Sequence, residues 1–377
     1  MRWLLFSPVV LLIYVGACFY IGIRLLGFVR CFIPVNAAVF WLSFAALCCL
    51  LTFINLLPHN LAFLRQASLF WLAILLYMLM FLAASDVIRL ILFIAGKKIM
   101  NIAMYTTGAS LLLCAILVVF GALHARSIKT VNYNLTLNGS GSDIRIALVS
   151  DLHIGHSIGR AHIKRVVDTV NRSEPDMVCI SGDIFDGNID AVKDLQDVIS
   201  QLSAIKAPLG VYACLGNHDV DRTGLGGGST QRIEDALKNS GLKLLQDEVR
   251  EVRDNLYIAG RRDARPIGMK AERKTSPELL ADIEGTVIVL DHQPTQFTEL
   301  ELAGAGLVLS GHTHKGQIFP STLITYLIYK LSGSTYYGYW RGNTMQAVVT
   351  SGAGFWGPPL RIGTNSETVV IDIKFAQ

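Results

Sequence analysis

Before Leu123 the chain is overwhelmingly apolar, after Arg126 it reads as an ordinary globular protein, and no single fold accommodates both halves. Apolar segments recur at Trp3–Ile23, Ala37–Leu57, Leu69–Ile94 and Tyr105–Leu123. Each approaches or exceeds the roughly 20 residues needed to cross the hydrocarbon core of a bilayer. Residues 1–125 are therefore expected to form about four transmembrane helices. The first segment lacks a clear small-residue cleavage site and is followed by three similar ones, so it is not expected to be a removed signal peptide.

An even helix count puts both chain ends on one side, and basic residues in the loops indicate which. Arg24, Arg30, Lys97 and Lys98, with Arg89 close by, oppose Arg2, Arg65, Arg126 and Lys129. This bias of about one charge favours a C-terminal domain outside the cytoplasm; the plasma membrane is the expected location. Asp86 and Arg89, three apart on one helix face, read as an interfacial ion pair, with an intramembrane polar site as the alternative.

The net charge of +4, with no run of five basic residues, gives no reason to expect nucleic acid as a partner. Five of the seven cysteines (Cys18, Cys31, Cys48, Cys49, Cys114) fall in the apolar half. Cys179 and Cys214 fall in expected strands, and none shows metal-ligand spacing, so all read as small packing residues.

Residues 126–143 read as a linker with an edge strand, and residues 144–377 as one α/β domain of alternating strands and helices. What stands at the strand ends is more telling. Ile144–Ser150 leads to Asp151 and His153, two residues apart and so on one face of an extended chain. Met177–Ser181 leads to G-D-I-F-D, with Asp183 and Asp186; Val211–Leu215 leads to G-N-H-D, with Asn217, His218 and Asp219. Val287–Leu290 leads to D-H-Q-P, with His292, and Leu307–Ser310 to G-H-T-H, with His312 and His314. Each alone has a dull explanation, such as a cap or a core histidine. Five together, all of metal-ligand chemistry, point to one site at the carboxyl edge of a sheet.

This ordered set resembles the calcineurin-like metallophosphoesterase superfamily. The resemblance covers essentially all of residues 144–377 but not the membrane half. It implies a four-layer α-β-β-α sandwich around two divalent ions. By the resemblance Asp151, His153, Asp183 and His314 would hold one ion. Asp183, Asn217, His292 and His312 would hold the other, with Asp183 shared. Two ions roughly 3.5–4 Å apart clamp a phosphoryl group and lower the pKa of a bridging water, the expected nucleophile. Mixed nitrogen and oxygen ligands suit Mn, Fe or Zn. His218 would protonate the leaving alkoxide as general acid, and Asp186 would orient its imidazole. Asp219 is left with a local hydrogen-bonding role.

Other features divide between two readings each. His156 is a candidate phosphate contact or an exposed loop residue. Arg261, Arg262 and Arg265 form either a grip for an anionic headgroup or a solvated turn. The aromatic run from Tyr326 to Trp340 belongs either to the core or to a membrane interface. The Gly226–Gly228 run is too generic for a phosphate cradle.

The expected protein is thus a membrane-anchored, dimetal phosphoester hydrolase, with a lipid-linked phosphoester or pyrophosphate as substrate. A soluble or cell-wall phosphoester is the alternative substrate. A non-catalytic membrane sensor or scaffold for phosphorylated ligands is the alternative class, disfavoured by the retained His218 and Asp186. A transporter is disfavoured because Asp86 and Arg89 are the sole candidate intramembrane charges. Oligomeric state is not legible.

Overall fold

The computed structural model describes residues 8–54, 62–220, 229–264 and 273–376. The chain divides into two compact units, Met1–Ala122 with Gly357–Pro359, and Leu123–Trp356 with Leu360–Gln377.

The first unit is built from four helices, α1 (Pro8–Val29), α2 (Ala37–Phe53), α3 (Ala62–Ile94) and α4 (Ile102–His124). Among the described residues three are long and apolar enough to cross a membrane: α1, Ala67–Ile94 within α3, and α4. The expected count of four therefore becomes three. The second helix starts where Asn36 accepts the main-chain N–H groups of Ala38 and Val39, and ends at Phe53 after 17 residues. At 1.5 Å per residue that is about 26 Å, short of a core of about 30 Å.

Polar side chains in this unit link its helices to one another. The Asp86 carboxylate takes Arg24, the Tyr20 hydroxyl at 2.6 Å and Arg89 Nη1 at 3.2 Å. Arg89 also donates to Thr106 Oγ1, Thr107 Oγ1 and the Ala103 carbonyl. The expected Asp86–Arg89 pair is present and structural, but Arg24 is not a loop charge. It lies inside α1 and is consumed by Asp86, which removes the one-charge bias that favoured an outward-facing domain.

The second unit opens with β1 (Ile128–Asn138), which follows α4 after three residues. Next come β2 (Ile144–Val149), α5 (Arg160–Arg172), β3 (Met177–Ser181), α6 (Leu195–Ser203), β4 (Gly210–Cys214), α7 (Ser229–Asn239) and β5 (Lys243–Leu244). The chain continues through β6 (Glu248–Arg253), β7 (Leu256–Gly260), α8 (Ser276–Leu280), β8 (Thr286–Leu290), α9 (Phe297–Leu302) and β9 (Leu307–Ser310). It closes with α10 (Ser321–Leu331), β10 (Gly338–Arg341), β11 (Gln346–Val349) and β12 (Ser366–Ala376).

Two six-stranded sheets result, in the orders β1-β12-β2-β3-β4-β5 and β10-β11-β9-β8-β7-β6. The central strands β2, β3 and β4 are parallel and almost wholly apolar, as strands covered on both faces must be. Between the sheets lies a core of Ile146, Leu148, Met177, Cys179, Ile258, Ile288, Leu309 and Ile371. Outside the first sheet, α5 and α6 pack Ile163, Val166, Val198 and Leu202 against Val178 and Ile180. Outside the second, α8 and α9 pack Leu279 and Leu300 against Val287 and Val308. The layering is the expected α-β-β-α sandwich. Cys179 and Cys214 are buried in these cores, and all seven cysteines are unpaired.

Candidate metal centre

The parallel strands β2, β3 and β4 and, in the other sheet, β8 and β9 deliver their carboxyl-end turns to one place. Asp151, His153 and His314 bring one donor atom each to within 4.8 Å of one another; so do Asp183, His292 and His312, and so do His153, Asp186 and His218. Eight of the nine predicted site residues belong to these three groups. The ninth, Asn217, is buried beside His218 in the same turn.

The backbone bends unusually to achieve this. Asp151 (φ 53°), His153 (φ 47°), Asp183 (φ 52°), His312 (φ 73°) and His314 (φ 48°) all occupy the left-handed region. Non-glycine residues rarely adopt it, and such strain persists where the surroundings over-determine it. The glycines of the motifs have a related purpose. A Cβ on Gly216 would overlap the Asp183 carboxylate and main chain, and one on Gly311 would overlap Ser150 Oγ and the Asp151 carboxylate. The turns approach one another so closely that no side chain fits at those two positions.

Hydrogen bonds then set each donor. His312 N–H donates to both Asp151 oxygens, and His218 N–H donates to Asp183 Oδ1 at 2.7 Å. Asp219 accepts from the N–H groups of Gly216, Ile184 and Phe185. It ties the turn after β3 to the turn after β4, a local role as expected. Burial pushes its pKa up to about 7, assisted by the neighbouring Asp183 charge and opposed by the three N–H groups. For Asp183 burial also pushes upward, but His292, His153 and His312 together pull its pKa down to about 2.

The donor atoms left without partners show that a cation suits this site. His292 Nδ1 faces the Ser181 carbonyl at 2.8 Å and so carries a proton. Its Nε2, fully buried and without a hydrogen bond, lies 3.2 Å from Asp183 Oδ2. His153 and His314 bring their Nε2 atoms to 3.0 Å of each other inside the protein. Asn217 Oδ1 and His153 Nδ1 are likewise buried with no hydrogen bond. Buried polar atoms are ordinarily paired, so this concentration of unsatisfied acceptors fits groups arranged to ligate metal.

Beside these groups His218 Nδ1 pairs with Asp186 Oδ1 at 2.9 Å, which turns Nε2 of the ring away from the carboxylate. The ring stands edge-on to Trp356, with centroids 5.4 Å apart.

Trp356 escapes the sequence reading, as does Arg361. The Arg361 guanidinium is fully buried and collects the carbonyls of Ser351, Gly352, Gly354 and His314. That holds the Gly352–Gly354 turn, whose Gly354 N–H binds the Asp151 carbonyl, against the metal-facing residues. The available signal was the G-A-G turn after the strand ending at Val349, placed like the other motif turns.

Two alternatives resolve toward structure. Arg261 is buried against Asp291 and Gln296, so it does not grip a headgroup, and Arg262 approaches Asp247 at 3.8 Å. Arg265 and the Gly226–Gly228 run lie outside the described residues. His156 is exposed.

Comparison with known proteins agrees with this geometry. Residues 144–316 match the family model described as calcineurin-like phosphoesterase. A metallophosphoesterase of Campylobacter jejuni is 30% identical over 70% of this chain and 69% of its own length. The Danio rerio "transmembrane protein with metallophosphoesterase domain" is 33% identical over 71% of this chain and 62% of its own. A metallophosphoesterase of Aquifex aeolicus is 31% identical over 62% and 86% respectively. Sequence kinship, the ordered motifs and the converging donors lead to one statement: this membrane protein belongs to the calcineurin-like metallophosphoesterase family of metal-dependent phosphoester hydrolases.

Proposed function

We propose that the chain hydrolyses a phosphoester carried by a membrane lipid, at a site holding two divalent ions. Asp151, His153, Asp183 and His314 would hold one ion, and Asp183, Asn217, His292 and His312 the other. When bound, such ions polarise a phosphoryl oxygen and make water nucleophilic near neutral pH. The nitrogen-rich donor set favours Mn, Fe or Zn. The observation that carries the reading is the set of buried acceptors without hydrogen bonds, above all His292 Nε2 against Asp183 Oδ2.

The remaining steps fall to the protein's own groups. Asp183 Oδ2 lies 3.7 Å from His153 Nε2 and 3.2 Å from His292 Nε2, where its charge would offset the repulsion between two dications. Its second task is to hold the His218 turn through the main-chain N–H. Asp186 accepts the Nδ1 proton of His218, which leaves Nε2 to give a proton to the departing oxygen. Trp356 closes one side of the imidazole and limits the directions from which the leaving group departs. A lipid-borne substrate is supported by the short link between α4 and β1, only Ala125, Arg126 and Ser127.

The test is hydrolysis by the full chain with Mn²⁺. An aryl phosphoester is expected to be cleaved by the native protein. Asp183→Asn should lose both bound metal and activity. His218→Ala should keep its metal but lose about 10²–10⁴-fold in rate. Full activity in both variants would refute the mechanism. Equal or faster turnover of soluble phosphoesters than of phospholipids and polyprenyl phosphates in vesicles would remove the lipid-borne substrate while leaving the hydrolase intact.

A further inference from the structure

Helix α10 wears its apolar residues on the outside. Leu323, Ile324, Leu327, Ile328 and Leu331 are between 46% and 87% exposed, and the helix buries none of its residues. At 100° per residue these five fall within an arc of roughly 140°, one continuous stripe. Beside the stripe the rings of Tyr326, itself exposed, and half-buried Tyr329 pack against Tyr336 at centroid distances of 5.7 Å and 6.4 Å. Helices α5 and α6 of the same unit do the opposite and bury their aliphatic faces in the core. Phe319, just before the helix, is also exposed.

The helix is fastened to the catalytic turn. Only seven positions separate His314 from Ser321. Gly316 lies so close to Thr322 that a Cβ there would meet its Cα at 2.5 Å. Gln317 accepts the Trp356 N–H and donates to the Trp356 carbonyl, joining the start of α10 to the residue that flanks His218.

We infer that α10 is an interfacial helix, its aliphatic stripe seated in the boundary between headgroups and acyl chains. Several observations select a bilayer as the occupant. The chain carries its own membrane spans, and only three residues, about 10 Å of chain, separate the end of α4 from the start of β1. Lys330, with its Nζ 5.4 Å from the Tyr326 ring centroid, borders the stripe with the tyrosines, the cationic and aromatic edging that suits a headgroup layer. Contiguous exposed aliphatic side chains in water are otherwise a liability. The inference stands whether or not the site hydrolyses a lipid.

Full-length protein in phosphatidylcholine/phosphatidylglycerol vesicles, containing a phosphatidylcholine with a photoreactive acyl chain, provides the test. After irradiation and peptide mapping, lipid adducts are expected on 321–331 as well as on α1, α3 and α4. In the triple variant Leu323→Gln, Leu327→Gln, Ile328→Gln, adducts on 321–331 should fall at least tenfold while those on the spans stay constant. A wild-type α10 free of adducts beside labelled spans overturns the inference. So does unchanged labelling in the variant, or α10 cross-linked to a second copy of the chain in place of lipid.

Discussion

His218 is fixed from three directions by residues of two other segments: Asp186 at its Nδ1 and Asp183 at its main-chain N–H, both from the turn after β3, and Trp356 against its ring. Another buried histidine is used quite differently. His162 donates from Nε2 to the Ala353 carbonyl at 2.8 Å, next to the turn that backs Asp151. Burial lowers its pKa from 6.5 to about 4, with the Ala353 bond opposing. The unfolded chain takes up this proton below about pH 6.5, whereas the folded chain resists until about pH 4. The stabilisation is therefore complete above pH 6.5 and lost as the pH falls toward 4, at most about 3 kcal/mol at 1.36 kcal/mol per pH unit. His162→Gln, which can keep the hydrogen bond, should flatten that part of the profile when thermal unfolding is followed from pH 7.5 to 4. Parallel profiles for the two proteins would show that His162 is not a source. The candidate ligand positions are legible in the sequence because each follows a buried strand, where the apolar period stops on an acid, amide or imidazole. Trp356 and Arg361 are not, because the segment between β11 and β12 has no period, and a buried arginine satisfied by carbonyls looks in sequence like any surface charge.

At the scale of elements, Asp86 joins α1 to α3 through Arg24 and serves Arg89, which in turn bonds to α4. Replacing it leaves two guanidinium groups without a counter-charge. Asp86→Asn should cost about 1–3 kcal/mol of helix-bundle stability, more than Thr106→Val, which removes one of several bonds to Arg89. Thermal denaturation in detergent measures both, and an Asp86→Asn protein as stable as the native one would mean that the pairing is incidental. Strand and helix positions of the sandwich are mostly legible from period and turn residues, but β6, α8, β10 and α10 are not. Strand β6 reads E-V-R-E-V-R, an edge strand whose valines fall three apart and break the two-residue period. Helix α8 is only five residues long, although its Thr275–Glu278 capping box was a usable signal. Helix α10 presents an apolar face to the outside, so a reading that equates apolar with buried misplaces it. The four-span count fails for a simpler reason, since hydropathy locates α2 but does not mark where it stops.

For the whole molecule, the two clusters of candidate metal ligands draw together turns from both sheets, so removal of bound metal should loosen the sandwich and spare the membrane helices. A ligand present at 100 times its dissociation constant stabilises by about 2.7 kcal/mol per site. Chelation should then lower the melting temperature of the catalytic unit by about 5–10 °C per site lost. Scanning calorimetry or a near-ultraviolet signal from Trp340 and Trp356 would follow it, and an unchanged melting temperature after verified metal loss would count against a structural contribution. One feature of the first sheet also carries a consequence for biosynthesis. Strand β12 lies between β1 and β2, pairing with β1 along Ile128–Asn138 and with β2 along Ile144–Leu148. A nascent chain thus places its membrane helices, then extends nearly 250 further residues before the strand that unites β1 with β2 is synthesised. Catalytic competence is deferred until β12 has been made, and a ribosome stalled before Ser366 would leave an anchored chain with an open sheet and no working hydrolase.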